Sequence, residues 1–190
     1  MRYAAEHKDQ TRSALLKAAA EEMRAHGPDG VSVAAVMKRV GLTHGGFYAH
    51  FDSKDALIAA AVGEMFVHAA RRREKYAGSI TSIDGFIDSY VSAVHRDNPS
   101  RGCPIPALMS EAGRWPKGAR KAFDEGITRL AQRLAVLMPS HVTEPQAAAM
   151  SLIAEMAGAI ALSRSVADAA LSDALLDSSR AALKQRFTSN

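Results

Sequence analysis

The chemistry-bearing residues of this chain gather between Ser32 and Phe51. Thr43 and His44 carry a hydroxyl and an imidazole that can reach a phosphate or a base edge, and they stand directly before Gly45 and Gly46. Each glycine costs on the order of 1 kcal/mol inside a helix, so the pair needs a reason: close approach to a nucleic-acid backbone, or an irregular helix start. Thr43 can alternatively serve only as a helix cap, and His44 can be a solvated surface histidine. Ser32 and Val33 open a short helix whose free amides, with the positive end of the helix dipole, favour an anion such as phosphate. His50 can contact phosphate or cap the helix that follows.

The elements around these residues read as two short helices joined by a tight turn. Val33, Val36, Met37 and Val40 follow helical spacing, Gly41 suits a left-handed closing position, and Phe47 and Phe51 share a face of the next helix. That is the layout of a helix-turn-helix, in which the second helix offers its first residues to the major groove. Tight helical corners also occur in proteins that never touch DNA.

Other chemistries find no support. There is no Gly-x-Ser-x-Gly elbow, no phosphate loop ending Gly-Lys-Ser/Thr and no His-Glu-x-x-His, and no strand precedes Gly41 to make a dinucleotide fingerprint. His44 and His50 fall on different sides of a helix, and no Cys/His cluster suggests a metal. Neither an enzyme nor a cofactor is expected.

The rest of the chain is helical throughout. The 190 residues are 47% hydrophobic and 6% aromatic, with many alanines, which favours an all-α fold of about nine helices. The first helix is expected over 8–26, stopped by Gly27-Pro28-Asp29-Gly30. Ser53 can cap a longer helix that buries Leu57, Ile58, Ala61 and Met65. The polar stretch near 77–81 marks a boundary. One helix is then expected from Ile83 to Asn98, with Ile83, Phe86, Ile87, Tyr90, Val91 and Val94 as its apolar stripe, followed by helices over about 103–113, 116–137, from Glu144-Pro145, and a last one holding Leu171, Leu175, Leu183 and Phe187.

A formal net charge of +4 permits a polyanionic partner without demanding one, since 20 acidic residues are interspersed with 24 basic ones. Arg71-Arg72-Arg73 reads as solvated surface that complements a helix C-terminal dipole, and Arg2, Lys8 and Arg12 as weak candidates for groove or phosphate contacts. The N-terminus lacks a signal-peptide run, the apolar stretch 147–163 is broken by Glu155, and the only cysteine, Cys103, has no intrachain partner. A cytoplasmic protein without a membrane partner is expected.

The string from Gly41 to Leu57, Gly-Leu-Thr-His-Gly-Gly-Phe-Tyr-Ala-His-Phe-Asp-Ser-Lys-Asp-Ala-Leu, closely resembles the signature of the tetracycline-repressor (TetR) family. The resemblance covers roughly 8–68. The chain departs from the pattern at Phe47, where leucine is usual, and at Gly46, a position often held by a base-reading side chain. The resemblance implies a DNA-binding domain over 8–68, with the motif at about 32–51, and a ligand-binding and dimerisation domain over 80–187. Tyr48 and Lys54 resemble the family's phosphate clamps.

It also implies a homodimer on a palindromic operator, probed by a small-molecule effector that releases a repressor. The alanine-rich helix near 147–161 suits close helix approach, within the chain or between chains; the resemblance favours the dimer, with Ala149, Leu152, Ile153, Met156, Ile160, Leu175 and Leu183 at its interface. Phe86, Tyr90, Cys103, Met109, Trp115, Phe123 and Met156 are candidate pocket walls, and Gly102-Cys103 resembles a subgroup in which this pair precedes the sixth helix. Two alternatives stand beside this reading: a thiol-responsive redox regulator acting through Cys103, and a helical small-molecule carrier whose DNA head is vestigial.

Overall fold

The computed structural model of the chain describes residues 2–77 and 80–188. Among them are nine α-helices, one 3-10 helix and no strand. The chain divides into two compact units: residues up to Val67 with Leu108–Glu125, and His68–Ala107 with the residues from Gly126 onward.

The first unit opens with α1 (Arg2–His26) and α2 (Val33–Arg39). α1 presents Leu15, Ala19 and Met23 inward along one face, all fully buried. It ends at Gly27, whose φ of 70° lies in the left-handed region. The Ser32 hydroxyl accepts from the Ala35 amide at 3.3 Å and caps α2. At the other end, Gly41 at φ 74° lets its own N–H donate to Lys38 O and the Leu42 N–H donate to Met37 O. This pair of bonds is a Schellman closure, which satisfies two carbonyls that the helix leaves open. Arg39 of α2 pairs with Glu21 and Glu22 of α1.

The segment expected as a third α-helix is a 3-10 helix, His44–Ala49. Its bonds span three residues, from Gly46 N–H to Thr43 O and from His50 N–H to Phe47 O. Thr43 makes no side-chain cap bond. Two consecutive glycines and an uncapped start disfavour the α form, and the tighter coil suffices for six residues. Phe47 and Phe51 are both buried and stack at 5.9 Å. Val36 and Met37 of α2 are buried too, as are Leu57, Ile58, Ala61, Val62 and Met65 of α3 (Lys54–Ala77). Ser53 caps α3 by accepting from Ala56 N–H at 3.0 Å. In the same unit Trp115, between α6 (Ile105–Ala112) and α7 (Lys117–Val136), packs edge-on against Phe123, which in turn meets Phe66.

In the second unit the single helix expected over 83–98 is two: α4 (Ile83–Tyr90) and α5 (Ala93–Arg96). Ser92 starts α5 by accepting from His95 N–H, and Val94 turns out to solvent, 74% exposed. Carbonyls around the break find side-chain donors: Tyr90 O takes the His95 ring, Val91 O takes Arg180, and His95 O and Arg96 O take Arg164. Side chains distant in sequence thus complete the backbone accounting that an uninterrupted helix would have done itself.

α8 (Pro145–Ser165) and α9 (Ala169–Thr188) pack against each other. α8 is long and apolar enough to cross a membrane by length and composition. Its apolar residues, however, form the core of this unit. Ala149, Leu152, Ile153, Met156 and Ile160, expected at a dimer interface, are buried within the single chain, as is Leu183 of α9. Leu175 is half-buried, and the register of α9 turns Leu176 inward instead. Alanines and larger apolar residues lie on most sides of α8, so periodicity alone does not say which side the chain itself covers. Met150, Leu162 and Leu171 are the large apolar residues left exposed on these helices.

Truncating Phe47 to alanine removes the ring around which the 3-10 helix packs. A loss of about 3–5 kcal/mol is expected, measured by urea unfolding, with Phe47→Leu costing much less.

Candidate functional site

The turn after α2 and the 3-10 helix hold one set of outward-facing polar groups. Thr43, His44 and Gly45 are exposed, and the Tyr48 ring, edge-on to Phe47 at 5.3 Å, is 67% exposed. Burying Phe47 therefore turns its neighbour Tyr48 outward. A side chain at Gly45 would meet nothing within 4 Å, and one at Gly46 would only touch Met37, so protein packing requires neither glycine. Lys54 donates its ammonium to Asp29 O at 3.2 Å, in the turn that precedes α2. This tether brings a cation to the same turn that leads to Ser32 and the half-buried Val33. His50 is half-buried, and its Nδ1 is enclosed without a hydrogen-bond partner. Arg12 lies over the Phe51 ring at 5.0 Å, Lys8 is exposed, and the side chain of Arg2 lies outside the described residues.

What this surface can do is bind a polyanion through several weak donors at once: a phenol, a hydroxyl, an imidazole, an ammonium and helix-start amides. It holds no nucleophile paired with a base, and no group of three or more His, Cys, Asp or Glu that could hold a metal occurs among the described residues.

A second candidate site lies wholly within the other unit. A cavity of about 200 Å³ is lined by Arg72, Arg73, Val94, His95, Arg101 and Cys103, among others. Of the expected pocket walls only Cys103 lines it. Phe86 and Tyr90 lie behind Arg73 as buried core, Met156 is buried on α8, and Met109 is 41% exposed. Trp115 and Phe123 belong to the first unit. Arg73 also corrects the reading of the arginine run as solvated surface. Its guanidinium lies 4.6 Å from the Phe86 ring centre and 5.4 Å from that of Tyr90, and burial lowers its pKa.

His95 organises this site. Its Nδ1 is 2.8 Å from Tyr90 O and can only donate there, so Nε2 is the acceptor for the Cys103 N–H at 3.1 Å. The ring is therefore neutral, and burial holds its pKa near 4 rather than 6.5. Gly102 is required beside it: a Cβ there would stand 2.5 Å from the imidazole Cδ2. Burial also raises the pKa of the Tyr90 phenol, which lies beside Cys103 without a well-formed hydrogen bond. Arg73, His95 and Gly102 escaped the sequence reading, and only the glycine before Cys103 hinted at a close approach.

The first unit defines this chain as a helix-turn-helix protein. Residues 15–61 match the model of the bacterial regulatory proteins of the tetR family. The HTH-type transcriptional regulator UidR of Escherichia coli K12 is 33% identical over 119 residues, covering 62% of this chain and 60% of UidR. The chain thus matches about three fifths of the length of that curated relative. Among solved structures, a TetR-family regulator from Cytophaga hutchinsonii superposes with a TM-score of 0.79 at 22% identity, covering 97% of this chain and 98% of that one. The reduced form of E. coli NemR gives 0.77 at 20% identity, covering 95% and 100%. These two share the fold.

A histidine that must stay neutral makes stability depend on pH. Because the folded value lies below the ordinary one, the unfolded chain takes up the proton first, and stability present above about pH 6.5 is lost as pH falls toward 4. Between about pH 7 and pH 5 the loss from His95 should be about 2 kcal/mol. Denaturant titrations of wild type and His95→Gln at both pH values should differ by that amount.

Proposed function

We propose that this chain is a homodimeric, sequence-specific DNA-binding regulator, a repressor that a small-molecule effector releases from a palindromic operator in the cytoplasm. The observation that carries the DNA-binding reading is the shared exposure of Thr43, His44 and Tyr48 beside Lys54 and the start of α2, all anchored on the buried Phe47. His44 reads base edges, with Gly45 and Gly46 allowing close approach. Tyr48, Lys54, His50, Thr43 and the amides at Ser32 and Val33 hold phosphates and set register. The DNA-binding domain is read as 8–68 and the sensor and dimer domain as 80–187. Catalysis forms no part of this reading.

Two-fold pairing is supported by what α8 and α9 leave uncovered. Met150, Ala154 and Leu162 recur along the exposed side of α8, and Leu171 and Ala174 begin a similar stripe on α9. A second copy covering these stripes would remove exposed apolar surface and pair two reading heads, the arrangement that matches a palindrome. The effector would act through the cavity at Cys103, since α6 begins just after that residue and its Glu111 lies against Gly27 at the end of α1. Coupling of roughly 1–3 kcal/mol would suffice to release DNA. Cys103 lines that cavity, which keeps the thiol-responsive alternative in view, although its burial disfavours a reactive thiolate. Peroxide that still releases DNA normally from Cys103→Ser would dismiss it.

Selection of bound DNA from a random pool should enrich a palindrome, with affinity falling steeply as salt rises. On the selected site, Lys54→Ala should weaken binding to all sequences and reduce the log–log salt slope by about one; an unchanged slope removes Lys54 from the phosphate contacts. Combining Met150→Glu with Leu162→Glu should yield monomers in sedimentation and abolish two-site binding.

A further inference from the structure

We propose that the cavity lined by Arg73, His95 and Cys103 is a carboxylate site, in which Arg73 is the counter-ion for a small monocarboxylate with a short apolar tail. The inference deepens the sensor reading and rests on it for its regulatory consequence.

Arg73 is the observation that demands a partner. Its side chain is half-buried in the second unit, and among the described residues its guanidinium makes no hydrogen bond and no ion pair; aromatic rings are its neighbours. A cation that has lost part of its water without gaining a counter-ion is left with a cost that attraction to a ring recovers only in part. The acids on neighbouring elements are already taken: Glu74 by Arg133 at 2.9 Å, Asp88 by Lys184 at 2.8 Å, and Asp97 by Arg96 at 2.8 Å. None of the residues that line the cavity is acidic, whereas Arg72 and Arg101 line it as well. The cavity is therefore lined by positive charge, and Arg73 in its wall lacks an anion.

The shape of that cation selects the anion. With Phe86 and Tyr90 beside the guanidinium and no described residue bonded to its N–H groups, the N–H fork is available, and a fork matches the two oxygens of a carboxylate. His95 offers no competing charge, because it is neutral and both its nitrogens are engaged by Tyr90 O and the Cys103 N–H. Ala69, Val94 and the Cys103 side chain supply apolar wall, and Ser89 and Asn98 add hydroxyl and amide groups. At about 200 Å³ the space is below the range usual for drug-sized ligands. It suits a molecule of a few heavy atoms beyond its carboxylate.

The test is calorimetric titration of the purified protein with linear monocarboxylates from acetate to hexanoate, each beside its neutral primary amide, and DNA binding measured in parallel on the selected operator. Saturable binding of at least one acid is expected, with its amide weaker by about tenfold or more. Arg73→Gln should lose the acid to a similar extent, Arg73→Lys should recover only part because it keeps the charge without the fork, and Arg101→Gln on the exposed wall should weaken binding a few-fold. Thermal unfolding reports whether each variant folds, and the acid–amide comparison on wild type decides the matter even if Arg73 variants do not. No saturable binding by any acid, or acid and amide bound alike, overturns the proposal. If no acid binds while operator binding holds, the carboxylate site fails and the DNA-reading function stands. If an acid binds without changing operator affinity, the site stands and effector-driven release fails.

Discussion

The outward presentation of Thr43, His44 and Tyr48 depends on burying a single ring. A 3-10 helix of six residues has poor internal bonding and cannot hold a shape alone. Phe47 supplies what the backbone lacks: with its ring buried and stacked on Phe51, the adjacent side chain faces solvent. The Schellman closure at Gly41 and the cap at Ser53 then fix where that short helix begins and where the chain leaves it. An aromatic ring in place of the usual leucine fits this role, because a larger buried area per residue compensates for a weaker local helix.

The second unit is held by a different device. Where the first unit relies on interlocking apolar side chains, the region around Cys103 relies on one neutral imidazole that bridges two backbone groups, Tyr90 O and Cys103 N–H. Arg164 and Arg180 complete the job by reaching the other free carbonyls at the break between α4 and α5. This arrangement places positive charge where a helical core would ordinarily have none. It also explains why a small cavity survives there, since charged heads and a rigid ring pack less fully than aliphatic groups.

What could be read in the sequence was what is decided locally. Ser32, Gly41 and Ser53 sit within a few residues of the amides and carbonyls they serve, so their types and spacing already state their roles. Tyr48 was singled out by the motif, which left open whether its ring is buried; the structure exposes it. The split of the helix after Tyr90 was not legible, because its causes are Arg164 and Arg180, remote in sequence. Nor was the inner side of α8, whose alanine-rich circumference makes every direction look equally apolar. Arg73 was hidden by its company, since three arginines in a row look solvated until α4 brings Phe86 and Tyr90 beside one of them.

Trp115 is the only tryptophan in the chain, and it lies in the first unit against Phe123, 5% exposed. The cavity at Arg73 belongs entirely to the second unit. Intrinsic emission from this protein is therefore an optical signal from the unit that carries the reading surface. A ligand that enters the cavity cannot quench that indole by touching it as a wall residue. Any change in its spectrum on ligand addition reports on the environment of the first unit.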